Sequence, residues 1–314
     1  MPEEVESSDV YLIDSSIYIF QAHFSPFVEC YDRQGEELSA LFGFAQFLLQ
    51  FLRRTKPFYL AVAHDQSLFC GFRHDLSPEY KSNRELPDEN LAMQLKGCSE
   101  LCSILGLPSF ASKVYEADDI IGTLARSARH KNASVHVQIV SRDKDLAQLL
   151  KSEDDCLWDY NGNSRRYRGD ILEEFGVHPE QFPDYLGLIG DSVDCISGVP
   201  GVGPVKAKVL LQKFQSIEEI YRNLEQVPSL ELRGAKGLAK KLEEHRDLAD
   251  LSKQLATIIC EVADPDELFG LAVLEELKPA APDQEKFAEF LELYDFREPD
   301  KNRLQSLAAS LSKG

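Results

Sequence analysis

SVHVQIVSRDKD, residues 134–145, is the stretch on which the fold turns. It is a β-rich run that ends abruptly in acids, the signature of a short buried strand delivering carboxylates to a loop. Two other stretches repeat the pattern. VYLID (10–14) is a short apolar run closing on Asp14, and PFYLAVAHD (57–65) closes on Asp65. Helical periodicity lies between them: ALFGFAQFLLQFLRR (40–54) has apolar positions at helical spacing and a basic end, which suits a helix C-terminus, and 91–105 is also helical. Strands alternating with helices predict a mostly parallel sheet with helices on both faces. Such sheets bind ligands outside the carboxyl ends of their strands, the edge to which Asp14, Asp65 and Asp143 are delivered.

Beyond about residue 170 the character changes to helix and turn, centred on GLIGDSVDCISGVPGVGPVKAKVLLQKF (187–214), with a Leu/Lys/Glu-rich stretch at 238–256. The last 50 or so residues hold short amphipathic pieces around Pro-Ala-Ala-Pro (279–282). There is no internal repeat of solenoid period. The expected division is an α/β core over 1–175, a helical region over 176–260 that completes the site, and an acidic segment over 261–314 packing back on the core.

The acids form a constellation. Glu116, Asp118 and Asp119 stand together in VYEADDIIGTLA at an expected helix start, where Glu116 and Asp119 share a face. Asp191 and Asp194 have the same spacing in GDSVD, and Asp143 and Asp145 close the strand quoted first. Each acid alone has an ordinary reading as a cap or turn residue. Nine converging carboxylates would repel prohibitively without cations. Hard divalent ions such as Mg²⁺ take oxygen ligands, so the cluster needs no Cys or His. Two ions about 4 Å apart suit the anionic transition state of a phosphodiester.

In GVPGVGPVKAKVLL (198–211), Gly198, Gly201 and Gly203 precede an expected helix, with Lys206 and Lys208 just behind. Close backbone approach and exposed amides there suit a non-specific clamp on a nucleic-acid backbone; the plain reading is a Gly/Pro turn. No strand immediately precedes the motif and GKS/GKT is absent, which excludes a P-loop. The polar segment from Gly71 to Asn90 carries Arg73, Lys81 and Arg84, spaced to meet a phosphate, and Tyr80, able to stack on an unpaired base. Its plain reading is a solvated loop.

The formal charge of −19 opposes nucleic-acid binding, although part of it is concentrated at the ends. Residues 1–13 carry four acids and no base, and 261–314 carry 13 acids against 6 Lys or Arg. DNA affinity is therefore expected to be modest and salt-sensitive. Seven scattered cysteines give no zinc spacing, and a reducing cytoplasm is the expected compartment.

The chain resembles the 5′–3′ exonuclease and flap-endonuclease family, in the bacterial form found at the N-terminus of DNA polymerase I and as stand-alone nucleases. The matching blocks, in family order from about Tyr11 to Cys260, are YLIDSS, the Asp65 segment followed by FRH, YKSNR, YEADDIIGTLA, SRDKDLAQLL, GLIGDSVD and GVPGVGPVKAKVLL. The resemblance implies a PIN-like α/β nuclease core, a helical arch and a C-terminal helix–three-turn–helix. It implies two or more Mg²⁺ ions, with Mn²⁺ as a substitute. Asp14, Asp65, Glu116, Asp118 and Asp119 would serve one ion, and Asp143, Asp145, Asp191 and Asp194 the other. Lys81 and Arg84 match the arch pair on the scissile phosphate, and Tyr80 the adjacent aromatic. The Gly198–Gly203 turn matches the duplex-binding motif, where some members hold K⁺ through backbone carbonyls.

Three departures stand out: Ser15 where the family usually has Gly, Gln21 where a basic residue is common, and Lys206 one place later than the usual Pro-Lys. The implied function is metal-dependent hydrolysis at 5′ flaps, nicks or free 5′ ends of duplex DNA, with RNA primers as further substrates, in replication or repair. The expected protein is a monomer in the cytoplasm, associated with the nucleoid and working beside a separate polymerase and ligase. The alternatives are a catalytically weak or inactive binder of branched DNA, and a Mg²⁺-dependent phosphohydrolase of small molecules.

Overall fold

Four strands run parallel in the order β3-β2-β1-β4: β1 (Asp9–Asp14), β2 (Tyr59–Asp65), β3 (Ser109–Ser112) and β4 (His136–Val140). They belong to a computed structural model that describes residues 9–311; the acid-rich opening 1–8 lies outside the described residues. β1, β2 and β4 are almost wholly buried, as expected of strands covered on both sides.

The strand order carries a functional consequence. From β1 through β2 to β3 the chain steps one way across the sheet, then returns past both to place β4 against β1. Because parallel crossovers are right-handed, the helices Ser15–His23, Ser39–Thr55 and Glu89–Ile104 cover one face, and Ala117–Lys131 covers the other. The order therefore reverses between β1 and β4, which puts a topological switch point at the end of β1, where Asp14 stands.

The Ser39–Thr55 helix shows why the core forms here. Leu41, Phe44, Leu48, Phe51 and Leu52 recur at helical spacing and are all buried. Fully burying a side chain of this size contributes about 1.5–3 kcal/mol. Phe47 stacks on Tyr18 of the Ser15–His23 helix at 3.7 Å. Gly43 permits that approach: a Cβ there would lie 2.3 Å from the Ala22 Cβ. Arg53 and Arg54 sit in the last turn, where positive charge complements the helix dipole, and Lys56 closes the helix in the left-handed region.

Two compact units result. The first comprises the chain up to Gln66, Leu86–Arg142 and everything from Cys260, so the C-terminal helices Gln284–Leu293 and Glu298–Ala309 belong with the parallel sheet. The second comprises Ser67–Glu85 and Asp143–Ile259. It holds the antiparallel hairpin β5 (Cys156–Asp159) and β6 (Ser164–Arg166), and a helical assembly in which Phe182–Ile189 packs on Arg246–Ala256. Compactness thus cuts the chain at 142/143, whereas the sequence division falls at 175/176. Segment 143–175 follows the helical region because its 3₁₀ turn, Lys144–Leu149, packs against Phe182–Ile189.

Of the Gly71–Asn90 segment, residues 71–85 belong to the second unit and form one short helix, Phe72–Leu76, and then turns through 78–83, while Glu89 and Asn90 open the Glu89–Ile104 helix of the first unit. Among the described residues this segment has no continuous arch helix. No helix of the described residues is long and apolar enough to cross a membrane, and the seven cysteines form no disulfide.

Candidate functional site

The first acid set lies in the first unit. Asp14 ends β1 and caps the helix that follows: its Oδ1 accepts from the Ser16 amide at 3.1 Å and its Oδ2 from Ser141 Oγ at 2.9 Å. Ser141 directly follows β4, so Asp14 is oriented across the switch point. Asp65 ends the neighbouring β2 and is half-buried. Glu116 caps the Ala117–Lys131 helix four residues after β3 ends at the same sheet edge. Glu116 and Asp119 form a reciprocal capping box, with the Glu116 amide donating to Asp119 Oδ2 at 3.0 Å, and Asp119 is fully buried. Asp118 lies half-buried in the same first turn.

The second set lies in the second unit. Asp143 caps the 3₁₀ turn Lys144–Leu149, its Oδ1 accepting from the Asp145 amide at 2.9 Å. Asp191 closes a tight loop in which its amide and carbonyl bond the carbonyl and amide of Ile196, while its Oδ1 accepts from the Val193 amide at 2.8 Å. Lys144 Nζ stands between two of these acids, 2.5 Å from Asp191 Oδ2 and 3.2 Å from Asp145 Oδ1. The electrostatics follow from that placement. Burial pushes the Asp145 carboxyl up to about 7, and repulsion from Asp143 and Asp191 outweighs the attraction of Lys144. Burial also raises Asp191, but the Lys144 hydrogen bond and charge hold it below the usual carboxylate range. Lys144 is desolvated too, and its two carboxylates more than offset this and hold it above the usual range.

Asp194 is met by the expected arch residues. Arg84 donates to its Oδ1 at 2.8 Å, Lys81 Nζ lies 3.8 Å from its Oδ2, and the Lys81 amide donates to its carbonyl at 3.0 Å. Lys81 is buried, in the left-handed region, with its ammonium 5.0 Å from the Tyr80 ring centre. Tyr80 is buried as well and meets His74 edge-on. The sequence reading has Tyr80 free to stack on a base; here its ring faces the protein interior. Arg73 also differs from expectation. It is buried, and its guanidinium donates to the carbonyls of Leu255 at 2.9 Å and Thr257 at 2.8 Å. Those are orphan carbonyls at the end of the Arg246–Ala256 helix, so Arg73 caps a helix instead of meeting a phosphate.

In the turn motif, Gly198 has φ +64°, and a Cβ there would lie 2.2 Å from the Gly190 amide nitrogen. Only glycine fits that crossing of backbones. Pro204 begins the following helix, where its missing N–H costs nothing. Lys206 Nζ donates to the Gly201 carbonyl at 2.6 Å, and Lys208 Nζ to the Glu174 carbonyl at 3.4 Å.

Asp14, Asp65, Glu116, Asp118 and Asp119 lie in the first unit, and Asp143, Asp145, Asp191 and Asp194 in the second. Among the described residues, no three His, Cys, Asp or Glu side chains converge as they stand into a group able to hold a metal ion. The oxygens of Asp14, Asp119, Asp143, Asp145, Asp191 and Asp194 lie on backbone amides, the Ser141 hydroxyl, the Lys144 ammonium and the Arg84 guanidinium. The donor set is nonetheless all-oxygen and largely buried, and the ammonium between Asp145 and Asp191 marks a cation position in the second set, so hard divalent ions fit the chemistry. Sequence reading left Lys144 and Ser141 unassigned. A lysine flanked by two acids was a signal for the first; nothing in the sequence ties Ser141 to Asp14.

The chain matches the family models described as 5′-3′ exonuclease, N-terminal resolvase-like domain, over residues 9–176, and 5′-3′ exonuclease, C-terminal SAM fold, over residues 177–281. It is 31% identical to the 5′-3′ exonuclease of Buchnera aphidicola subsp. Acyrthosiphon pisum over 258 residues, 82% of this chain and 89% of that protein. It is 38% identical to DNA polymerase I of Pseudomonas aeruginosa over 275 residues, 87% of this chain but 29% of the polymerase. The chain thus spans less than a third of that relative. The bacteriophage T5 D15 flap endonuclease, solved as a pseudo-enzyme–product complex with DNA and metal ions, superimposes with a TM-score of 0.62 at 17% identity, over 98% of this chain and all of that one. At that identity the likeness concerns the fold.

Proposed function

The chain belongs to the 5′-3′ exonuclease family, and from that premise we propose that it is a divalent-metal-dependent 5′ nuclease acting at 5′ flaps, nicks or free 5′ ends of duplex DNA. The observation that carries this reading is that Asp14 and Asp65 end neighbouring parallel strands beside the switch point, while Lys144 stands between Asp145 and Asp191. Asp14, Asp65, Glu116, Asp118 and Asp119 would hold one ion, and Asp143, Asp145, Asp191 and Asp194 the other. Bound there, Mg²⁺ or Mn²⁺ would acidify the attacking water and neutralise charge developing on the phosphodiester. The relative solved with DNA and metal ions supports both partners.

The chain's own residues do the rest. Lys81 and Arg84, now on the Asp194 carboxylate, would exchange one oxyanion for another and take the scissile phosphate, Arg84 with its planar fork. The Gly198–Gly203 turn and the start of the Pro204–Phe214 helix would present amides to the duplex backbone. A K⁺ ion at that turn would have to displace Lys206 from the Gly201 carbonyl, so it fits poorly. RNA primers remain within the proposal, as does action as a cytoplasmic monomer in replication or repair.

The second reading, a catalytically weak binder of branched DNA, is favoured by the engagement of Lys81 and Arg84 with Asp194. Cleavage of a labelled 5′-flap duplex in Mg²⁺ and in Mn²⁺, beside an Asp143→Ala variant and a single-stranded control, separates the two. Junction-local products that vanish in the variant support the nuclease; measurable flap binding with intact substrate in every metal supports the binder.

A further inference from the structure

Ser15, the departure from the family's glycine after the first strand, is buried, and its Oγ lies 3.0 Å from His64 Nδ1. His64 is the residue before Asp65, as Ser15 is the residue after Asp14. The parallel register pairs Asp14 with Ala63, so Ser15 and His64 stand one step further on, where the two strands deliver their acids. His64 lies under the Ser39–Thr55 helix, edge-on to Phe44 at 6.4 Å, and its Nε2 is buried with no hydrogen-bond partner.

Stability alone does not account for this arrangement. An unsatisfied buried ring nitrogen is destabilising, and an apolar ring of similar size would avoid that cost. The bond to Ser15 instead ties the ends of β1 and β2 together, one peptide away from a carboxylate on each side. A short side-chain tie between two strand ends limits how far their carboxylates can separate or turn, which is what a divalent ion with strict oxygen geometry requires. We propose that Ser15 and His64 are a positioning pair that sets the relative placement of Asp14 and Asp65 for the cation. This rests on the reading of those two acids as ligands.

The test is Mn²⁺ binding to the metal-free protein, followed by the electron paramagnetic resonance of free Mn²⁺, with circular dichroism to establish folding. Asp14→Asn identifies the binding class that depends on the first acid set. Ser15→Ala and His64→Phe are each expected to weaken that class about ten-fold. His64→Asn, whose amide can meet Ser15 where Nδ1 does, restores most of the loss. Ser15→Gly combined with His64→Phe loses no more than either single change, because both remove the same bond. Wild-type Mn²⁺ affinity in folded Ser15→Ala and His64→Phe overturns the pair as a positioning element, and so does a His64→Asn protein as impaired as His64→Phe. If His64→Phe does not fold, Ser15→Ala, which removes one oxygen, carries the test. Unchanged binding in Asp14→Asn is a separate result that removes the metal reading itself, and the inference with it.

Discussion

His64 makes a prediction at the residue scale that needs no metal. Burial pushes its imidazole from 6.5 down to about 4, so between those values the unfolded chain binds a proton that the native chain does not. Native stability from this group is therefore present above about pH 6.5 and falls as the pH drops toward 4. Urea unfolding at pH 7.5, 6.0 and 5.0 should show that loss, and His64→Phe should flatten the slope between pH 6.5 and 5. Lys144 makes the second. Replacing it with Met leaves Asp145 and Asp191 facing each other without their ammonium. The metal-free protein should lose about 1–2 kcal/mol, an amount reduced because the lysine is about a third exposed. Mg²⁺ should recover more stability in Lys144→Met than in the native protein, measured by denaturation with and without EDTA; equal recovery would count against Lys144 as the occupant of a cation position. At this scale the acids themselves were legible, because a carboxylate is recognisable wherever it stands. Their partners were not: Ser141 lies 127 positions from Asp14 and His64 lies 49 from Ser15.

Among the elements, the turn at Gly198–Gly203 is the most constrained. Gly198→Ala would drive a Cβ against the Gly190 backbone in the left-handed region, where neither neighbour is a flexible side chain. The expected loss is about 3 kcal/mol or more, with duplex binding lost at the same time; thermal melting and a duplex titration check both. Lys206 belongs to the same element. Its ammonium on the Gly201 carbonyl should make duplex binding insensitive to exchanging K⁺ for Li⁺ at constant ionic strength, and Lys206→Ala should introduce a K⁺ preference. The strand and helix elements were readable from periodicity and from acids at run ends. The Gly71–Asn90 arm was not, since a polar segment with few core residues carries no period, and what shapes it is contact with distant residues. Arg73 shows this: its spacing suggested a phosphate ligand, but the carbonyls left open by a helix ending at Ala256 hold it.

For the molecule as a whole, 53 acids against 34 Lys and Arg mean that the native state carries its own repulsion. Divalent ions that bind only the native acid sets should raise the melting temperature over EDTA at matched ionic strength, by mass action, and Asp143→Ala should shrink the rise. An equal rise in native and variant proteins would mean that the ions act by general screening. The sequence by itself determined the parallel α/β core, the helical region after about residue 170 and the nine acids in order. Apolar period and residue chemistry are local properties, and the order of family blocks is linear. Only the tertiary structure decided that segment 143–175 packs with the helical unit, that Lys144 stands between two acids, and that Tyr80 and Arg73 face inward. Those outcomes depend on which distant groups fill a shared volume and satisfy one another's hydrogen bonds, and no local pattern along the chain encodes that pairing.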